Sequence, residues 1–447
     1  MVKKNEKLKK YFLKIRKKIA KILKIFKIRK MKIFSQKLKN GLRAQLIQIP
    51  ESAAATVMIL VGAGSRYESA EICGISHFLE HMFFKGAKKF KNPKEVAAAI
   101  DKFGGEFNAF TGKEYCGYFV KSGKKNLKNS LEVLADMLIF SKFDAAEIEK
   151  ERGVILEEMA MYLDAPMYQI SWDFERLVFG DQPLGRDQIG TKKLIQNVTR
   201  KNFLNYKNSL YVPENIVISV AGNFDEKIFS EIENFFGNFF GEKKIFKKKF
   251  DEKLATEKFK IRTKKTEQFH ISCGVRAIAE RDKNFWALKI LATILGGNMS
   301  SRMFQSVREK KSLAYSIRTT VDEFSDTGLL RTAAGVRLEK VENAVAAILH
   351  EYEKIRARGI SLDELKNAQN FLCGRIDLST EDTENIAHHF AKNLLLYGDA
   401  ENFSDEKNQI LKTKKNDVEN LAQKILAPQN LRLAAIGPRD FSAKINF

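Results

Sequence analysis

From Lys32 the chain alternates apolar and polar positions through KIFSQKLKNGLRAQLIQIP, which predicts a hairpin turning at Asn40-Gly41. AATVMILVGAGSR follows and reads as a buried strand ended by glycines. The period then changes to that of a helix over 92–104, 125–142 and 144–164, with Asn92-Pro93 and Asp144 as start signals. The same pattern recurs downstream. LYVPENIVISVAGNF near 210 and LAPQNLRLAAIGP near 426 align with Pro213 over Pro428 and Asn215 over Asn430, each an apolar strand ended by glycine. FDAAEIEKERG at 143 is echoed by ISLDELKNAQN at 360, a helix start followed by an apolar stripe. An offset of roughly 215 residues relates the halves, far longer than a solenoid period of about 20–50 residues, and points to a duplication. Between them GEKKIFKKKFDEKLATEK, residues 241–258, is charged and without a firm period, and reads as a linker. The expected fold is α+β, with two homologous domains, 31–240 and 259–447, each a mostly antiparallel sheet with helices packed on one face.

Composition narrows this picture. A chain of 447 residues with 44% hydrophobic residues carries enough apolar side chains for two cores. The formal charge of +23 invites a nucleic-acid partner, but residues 1–30 hold 14 Lys and Arg against Glu6 alone, a local net of +13. The other residues carry 64 basic and 54 acidic side chains, a net of +10 spread along the rest of the chain. A nucleic-acid partner is therefore not expected. Within the arm Leu8, Tyr11, Phe12, Ile15, Ile19, Ile22, Leu23 and Phe26 recur at helical spacing opposite the lysines. Such a cationic amphipathic helix suits contact with an anionic membrane surface, or a solvated extension. It lacks both the ~18 apolar residues of a spanning helix and the apolar region of a secretory signal. Met31, just before the first strand, is an alternative start of translation. Cys73, Cys116, Cys273 and Cys373 lie far apart without a CxxC pair. That pattern argues against a disulfide framework or a thiolate metal site, and for reduced thiols and a cytoplasmic setting.

The candidate chemistry lies in GISHFLEHMFFKG, residues 74–86. A helix over 75–84 stacks His77 and His81, four apart, on one face, with Glu80 beside them. Two neutral imidazoles can grip one zinc ion, and a hydrolytic site takes three protein ligands, leaving the fourth position to water. Glu80 sits too close along the helix to complete that set, but it can accept the proton of such a water. The spacing H-x-x-E-H is the inverse of the commoner H-E-x-x-H. The third ligand must come from elsewhere, and EIEKERGVILEEMAMY, 147–162, offers glutamates among apolar residues, where a carboxylate is costly unless paired or bound to a cation. There Glu151, Ile155, Glu158 and Tyr162 share a helical face, while Glu157 points about 100° away.

GISHFLEHMFFKG, GGEFNAFTGKEY (104–115) and AEIEKERGVILEEM (146–159), with GGNMSSRMFQSVREKKSLAYS (296–316), together resemble the pitrilysin and insulysin family of zinc peptidases, above all its short processing-peptidase branch. The resemblance covers nearly all of the chain from Met31 and leaves out only the arm and the linker. It implies a Zn2+ ion held by His77, His81 and Glu158, with Glu80 as general base and Glu151 supporting the ligands from behind. Seventy-six residues lie between His81 and Glu158, which matches the family's spacing. It implies that Asn108 and Ala109 hold an extended peptide as an added strand, although by residue type alone Asn108 reads as a turn residue. It also implies that Arg308 and Tyr315 reach the substrate carbonyl from the opposite half of the chamber, as donors to an oxyanion. Ser312 stands where the family more usually has glycine, a departure that touches the local loop and not the chemistry.

The activity so implied is zinc-dependent endopeptidase cleavage of short or unfolded peptides in an enclosed chamber. Longer family members join four such domains and this chain has two, which implies a homodimer, or a heterodimer with a homologous subunit. The rival is a non-catalytic or partner-dependent subunit of a heterodimeric processing-peptidase-like complex. Such subunits typically carry a damaged motif, whereas all four catalytic positions are filled here. The second half has no H-x-x-E-H, His270 and His350 are isolated, and His388 and His389 fall on different helical faces, so one zinc per chain is expected.

Overall fold

A computed structural model describes residues 31–225, 227–251, 257–399, 401–445 and 447. The basic arm of residues 1–30, read above as an amphipathic helix, lies outside the described residues. The first half contributes β1 (Lys32–Lys37), β2 (Arg43–Gln48), β3 (Ala54–Val61), β4 (Glu106–Thr111), β5 (Cys116–Gly123) and β6 (Ile216–Gly222). They form one sheet in the order β1-β2-β6-β3-β5-β4, antiparallel throughout except between β2 and β6. The second half contributes β7 (Phe259–Thr263), β8 (Phe269–Ala277), β9 (Ala314–Glu323), β10 (Gly328–Val336) and β11 (Arg432–Gly437). Their order is β7-β11-β8-β10-β9, again antiparallel except between β7 and β11. Strand for strand, β7 to β11 repeat β2 to β6 in order and sense, so the duplication read from one pair of strands and one pair of helix starts extends to the whole sheet. Among the described residues β1 has no counterpart in the second half.

β3 is buried from Ala55 to Val61, Thr56 included, which requires cover on both faces of the sheet. Helices of the same half supply one cover, with Leu131, Leu134 and Leu138 of Leu127–Phe140 packed in a core with Phe78 and Phe83. The other cover is foreign. Ile386, Ala387, Phe390 and Ala391 of the second-half helix Thr383–Tyr397 pack with Ile47, Met58, Leu60, Phe119 and Val217. In return Ile170, Phe174, Leu177 and Val178 of the first-half helix Pro166–Phe179 pack with Leu329, Ala434 and Ile436 of the second sheet. Each half lends the other a helix. At roughly 1.5–3 kcal/mol per buried large apolar side chain, the exchange is a major part of what joins them.

A polar clasp adds to it. Arg66, 2% exposed, donates to Glu114 at 2.6 Å, to Asp326 of the second half at 2.5 Å and to the carbonyl of Lys248 at 3.3 Å. Lys247 pairs with Glu114 at 2.7 Å and Phe250 is buried, so the described part of the segment read as a linker, without helix or strand, packs against both halves.

Candidate metal centre

The helix Ile75–Phe83 buries Ile75, Ser76, Phe78, Leu79, Met82 and Phe83, which leaves His77, Glu80 and His81 on the remaining stripe. Its start is fixed from outside. The buried Glu68 carboxylate accepts the N–H groups of Gly74 at 2.7 Å and Ser76 at 2.8 Å, favourable at the positive end of a helix. Gly74 turns in with φ of 106°, and a Cβ there would lie 2.6 Å from the Cα of Gly190, so only glycine fits. The facing helix Ala145–Asp164 begins where the Asp144 side chain accepts the N–H of Ala146, and buries Ile148, Glu151, Ile155 and Met159. That stripe brings Glu151 and Glu158 to the imidazoles.

His77 Nε2 lies 3.7 Å from Glu158 Oε1, and His81 Nε2 lies 3.5 Å from Glu158 Oε2. These separations are too long for hydrogen bonds. They are close to the about 3.4 Å expected between two ligands of one tetrahedral zinc with bonds of about 2.1 Å. One ligand atom each from His77, His81 and Glu158 falls within 4.8 Å of the others, the sole such group of three among the described residues. Glu157, exposed, is not part of it. On the far side of His81, Nδ1 lies 2.8 Å from Glu151 Oε1, and Glu151 Oε2 lies 2.5 Å from Lys85 Nζ. The Glu80 carboxylate accepts the Thr111 hydroxyl at 2.5 Å through Oε2.

Burial, reinforced by the neighbouring His81, pushes His77 down to about 4, so its ring is neutral at ordinary pH, as a metal ligand must be. Burial also raises Glu80 above the usual carboxylate range, with Glu158 adding to the rise and Thr111 and His81 opposing it. For Glu151 burial acts upward, but the hydrogen bonds from His81 and Lys85 outweigh it and hold the carboxyl below its ordinary value. Burial and the charge of Glu158 push the Tyr162 hydroxyl up. Two imidazole nitrogens, a carboxylate, a ring oriented from behind and a separate carboxylate within the same turn suit zinc and water-activating chemistry.

Asn108 and Ala109 lie within β4, at the free edge of the first sheet, and not in a turn. The Asn108 side chain accepts the N–H of Ala109 at 2.9 Å. Arg308 and Tyr315 are not brought to the metal group of their own chain. They line a cleft of about 610 Å³ in the second half with Ser312, Glu267, Gln268 and Arg337. There the Arg308 guanidinium sits 4.6 Å from the Phe304 ring centre, and Tyr315 is 82% exposed. Ser312 keeps the left-handed backbone that glycine favours, with φ of 49°. His388 contacts Tyr115 and His389 the carbonyl of Glu401, both structural roles. Sequence reasoning missed Thr111, Lys85 and Glu68. Each looks ordinary in its own segment, and only Glu68, just ahead of a glycine-started helix, carries a local signal.

Residues 43–192 match the family model described as insulinase (peptidase family M16), and residues 197–372 match the peptidase M16 inactive domain. The chain is 34% identical over 400 residues to the "uncharacterized zinc protease YmxG" of Bacillus subtilis (strain 168), covering 90% of this chain and 97% of that one. It is 33% identical over 408 residues to an uncharacterized zinc protease of Streptomyces coelicolor, covering 90% and 88%. The crystal structure of a protease from Helicobacter pylori superposes with a TM-score of 0.85 at 25% identity, covering 91% of this chain and all of that one.

Proposed function

Since the chain belongs to the insulinase (M16) family of peptidases, in its short two-domain form, we propose that it is a zinc-dependent endopeptidase acting on short or unfolded peptides. The observation that carries this reading is the meeting of His77, His81 and Glu158 beside Glu80. Zinc, held by those three residues, supplies Lewis acidity toward the scissile carbonyl and lowers the pKa of the attacking water. The edge of β4 at Asn108 and Ala109 takes the peptide backbone as an added strand, which fixes the scissile bond in an extended form. Glu80 removes a proton from the water as its oxygen adds to the carbonyl carbon. The same carboxyl then gives that proton to the amide nitrogen as the C–N bond breaks. The second proton of the water passes from the new carboxyl to the amine, and an ammonium group and a carboxylate leave.

Arg308 and Tyr315, apart from the metal group of their own chain, serve the chamber of a second copy or of a homologous subunit, where their N–H and O–H groups steady the oxyanion. Glu80→Gln tests the core of the reading. Hydrolysis of a quenched peptide is expected to fall by about a hundredfold or more with zinc still bound. Undiminished cleavage by that variant would end the proposal.

A further inference from the structure

Glu80 does not hang free in the site. The Thr111 hydroxyl lies 2.5 Å from Glu80 Oε2 and 3.5 Å from the carbonyl of Ser76. A hydroxyl has one proton to give, and the shorter, charge-assisted bond takes it. The Cys116 Sγ stands 3.8 Å from Thr111 Oγ1 as a donor, and burial pushes that thiol up to about 12, so it keeps its proton. The hydroxyl is thus supplied from one side and spent on the other.

Thr111 is itself firmly placed. It ends β4 directly opposite Cys116 in the β4–β5 register, and its carbonyl accepts Gln188 Nε2 at 3.2 Å. Its branched side chain has restricted χ1 freedom. The strand that carries it also carries Asn108 and Ala109, the edge on which a peptide would lie.

We propose that Thr111 is a positioning residue for peptide hydrolysis: its hydroxyl pins Oε2 of Glu80, leaves Oε1 as the oxygen that takes the proton of water, and ties the base to the substrate strand. The assignment rests on Glu80 acting as general base. A group held within hydrogen-bond reach of its target works only while its orientation is kept, and a small displacement removes much of its effect.

The test compares Thr111→Val, which keeps the shape and loses the hydroxyl, with Thr111→Ser, which keeps the hydroxyl. For valine, kcat on a quenched peptide is expected to fall about tenfold to a hundredfold with KM within about twofold and zinc content unchanged. Serine is expected to restore kcat to within about threefold of the native enzyme. In crystals of the metal-free protein, Glu80 should keep one rotamer in the native and serine forms and spread over more than one in the valine form. Thr111→Ala carries the same expectation should valine disturb the packing beside Cys116. A native kcat in the valine and alanine variants while Glu80→Gln is inactive would overturn the role of Thr111 and leave the peptidase reading standing. Serine as impaired as valine would also overturn it. Undiminished cleavage by Glu80→Gln would take down both.

Discussion

Glu151 Oε1 lies 2.8 Å from Nδ1 of His81, so a carboxylate outside the ligand group decides which nitrogen of that ring turns toward Glu158. The second oxygen of Glu151 is taken up by Lys85, which keeps the acid ionised and still.

From this geometry Glu151→Gln is expected to loosen zinc without unfolding the protein. The neutral amide holds the ring less firmly and makes it a weaker ligand, worth about tenfold to a hundredfold in metal affinity. Competition with a chromogenic chelator measures it, and an unchanged affinity would remove Glu151 from the account.

Acid should weaken the metal-free protein through its histidines. Burial, the main cause in each, pushes His77, His388 and His389 down to about 4, whereas the unfolded chain protonates them near 6.5. Between those values the unfolded state binds more protons, so their contribution is complete above about pH 6.5 and is lost as pH falls toward 4. Each costs up to roughly 3 kcal/mol of stability by the time the pH has fallen to 4 and below. Burial also raises Glu406 to about 7 and Asp322 to about 6, and these carboxyls act the other way over the same span, so the comparison is with a variant: from pH 6.5 to 4.5 the thermal midpoint of the apoprotein is expected to fall more steeply in the native protein than in His388→Gln. An equal slope in the two would contradict the burial argument.

Ser312 holds a backbone conformation that disfavours any side chain. Ser312→Gly should therefore stabilise the protein by about 0.5–1 kcal/mol, and Ser312→Val should destabilise it, as read from thermal melts. If glycine lowers the midpoint, the serine must have a favourable contact that offsets the strain.

A shared chamber is open to a mixing experiment. Glu80→Gln and the double variant Arg308→Ala, Tyr315→Phe are each expected to be nearly inactive. If the two sets of groups act across copies, mixing and refolding them equally should restore about a quarter of native activity, since half of the dimers then hold one complete site. No recovery in mixed dimers would confine each site to a single chain.

Much of the site was legible because its signals are local. His77, Glu80 and His81 lie within one helical turn, and Glu151 and Glu158 share a stripe that the periodicity of 144–164 already predicts. The repeat of strand patterns likewise announced two related halves. Thr111 escaped because its acceptor lies 31 positions away and a threonine closing a strand needs no special reason. The traded helices escaped for a different cause. Pro166–Phe179 shows the same apolar stripe whichever sheet it covers, and nothing in its own residues says which. The expectation of helices on one face left the second layer out, and it is the burial of β3 and β6 on both sides that shows it.

That trade also imposes a timetable on synthesis. Once Gly222 has left the ribosome the first sheet has all its strands, yet Met58, Leu60 and Phe119 await a lid that arrives only with Thr383–Tyr397. Nascent chains between those two points expose a sticky surface to their neighbours, and proteins truncated before residue 383 are expected in the insoluble fraction unless a chaperone holds them.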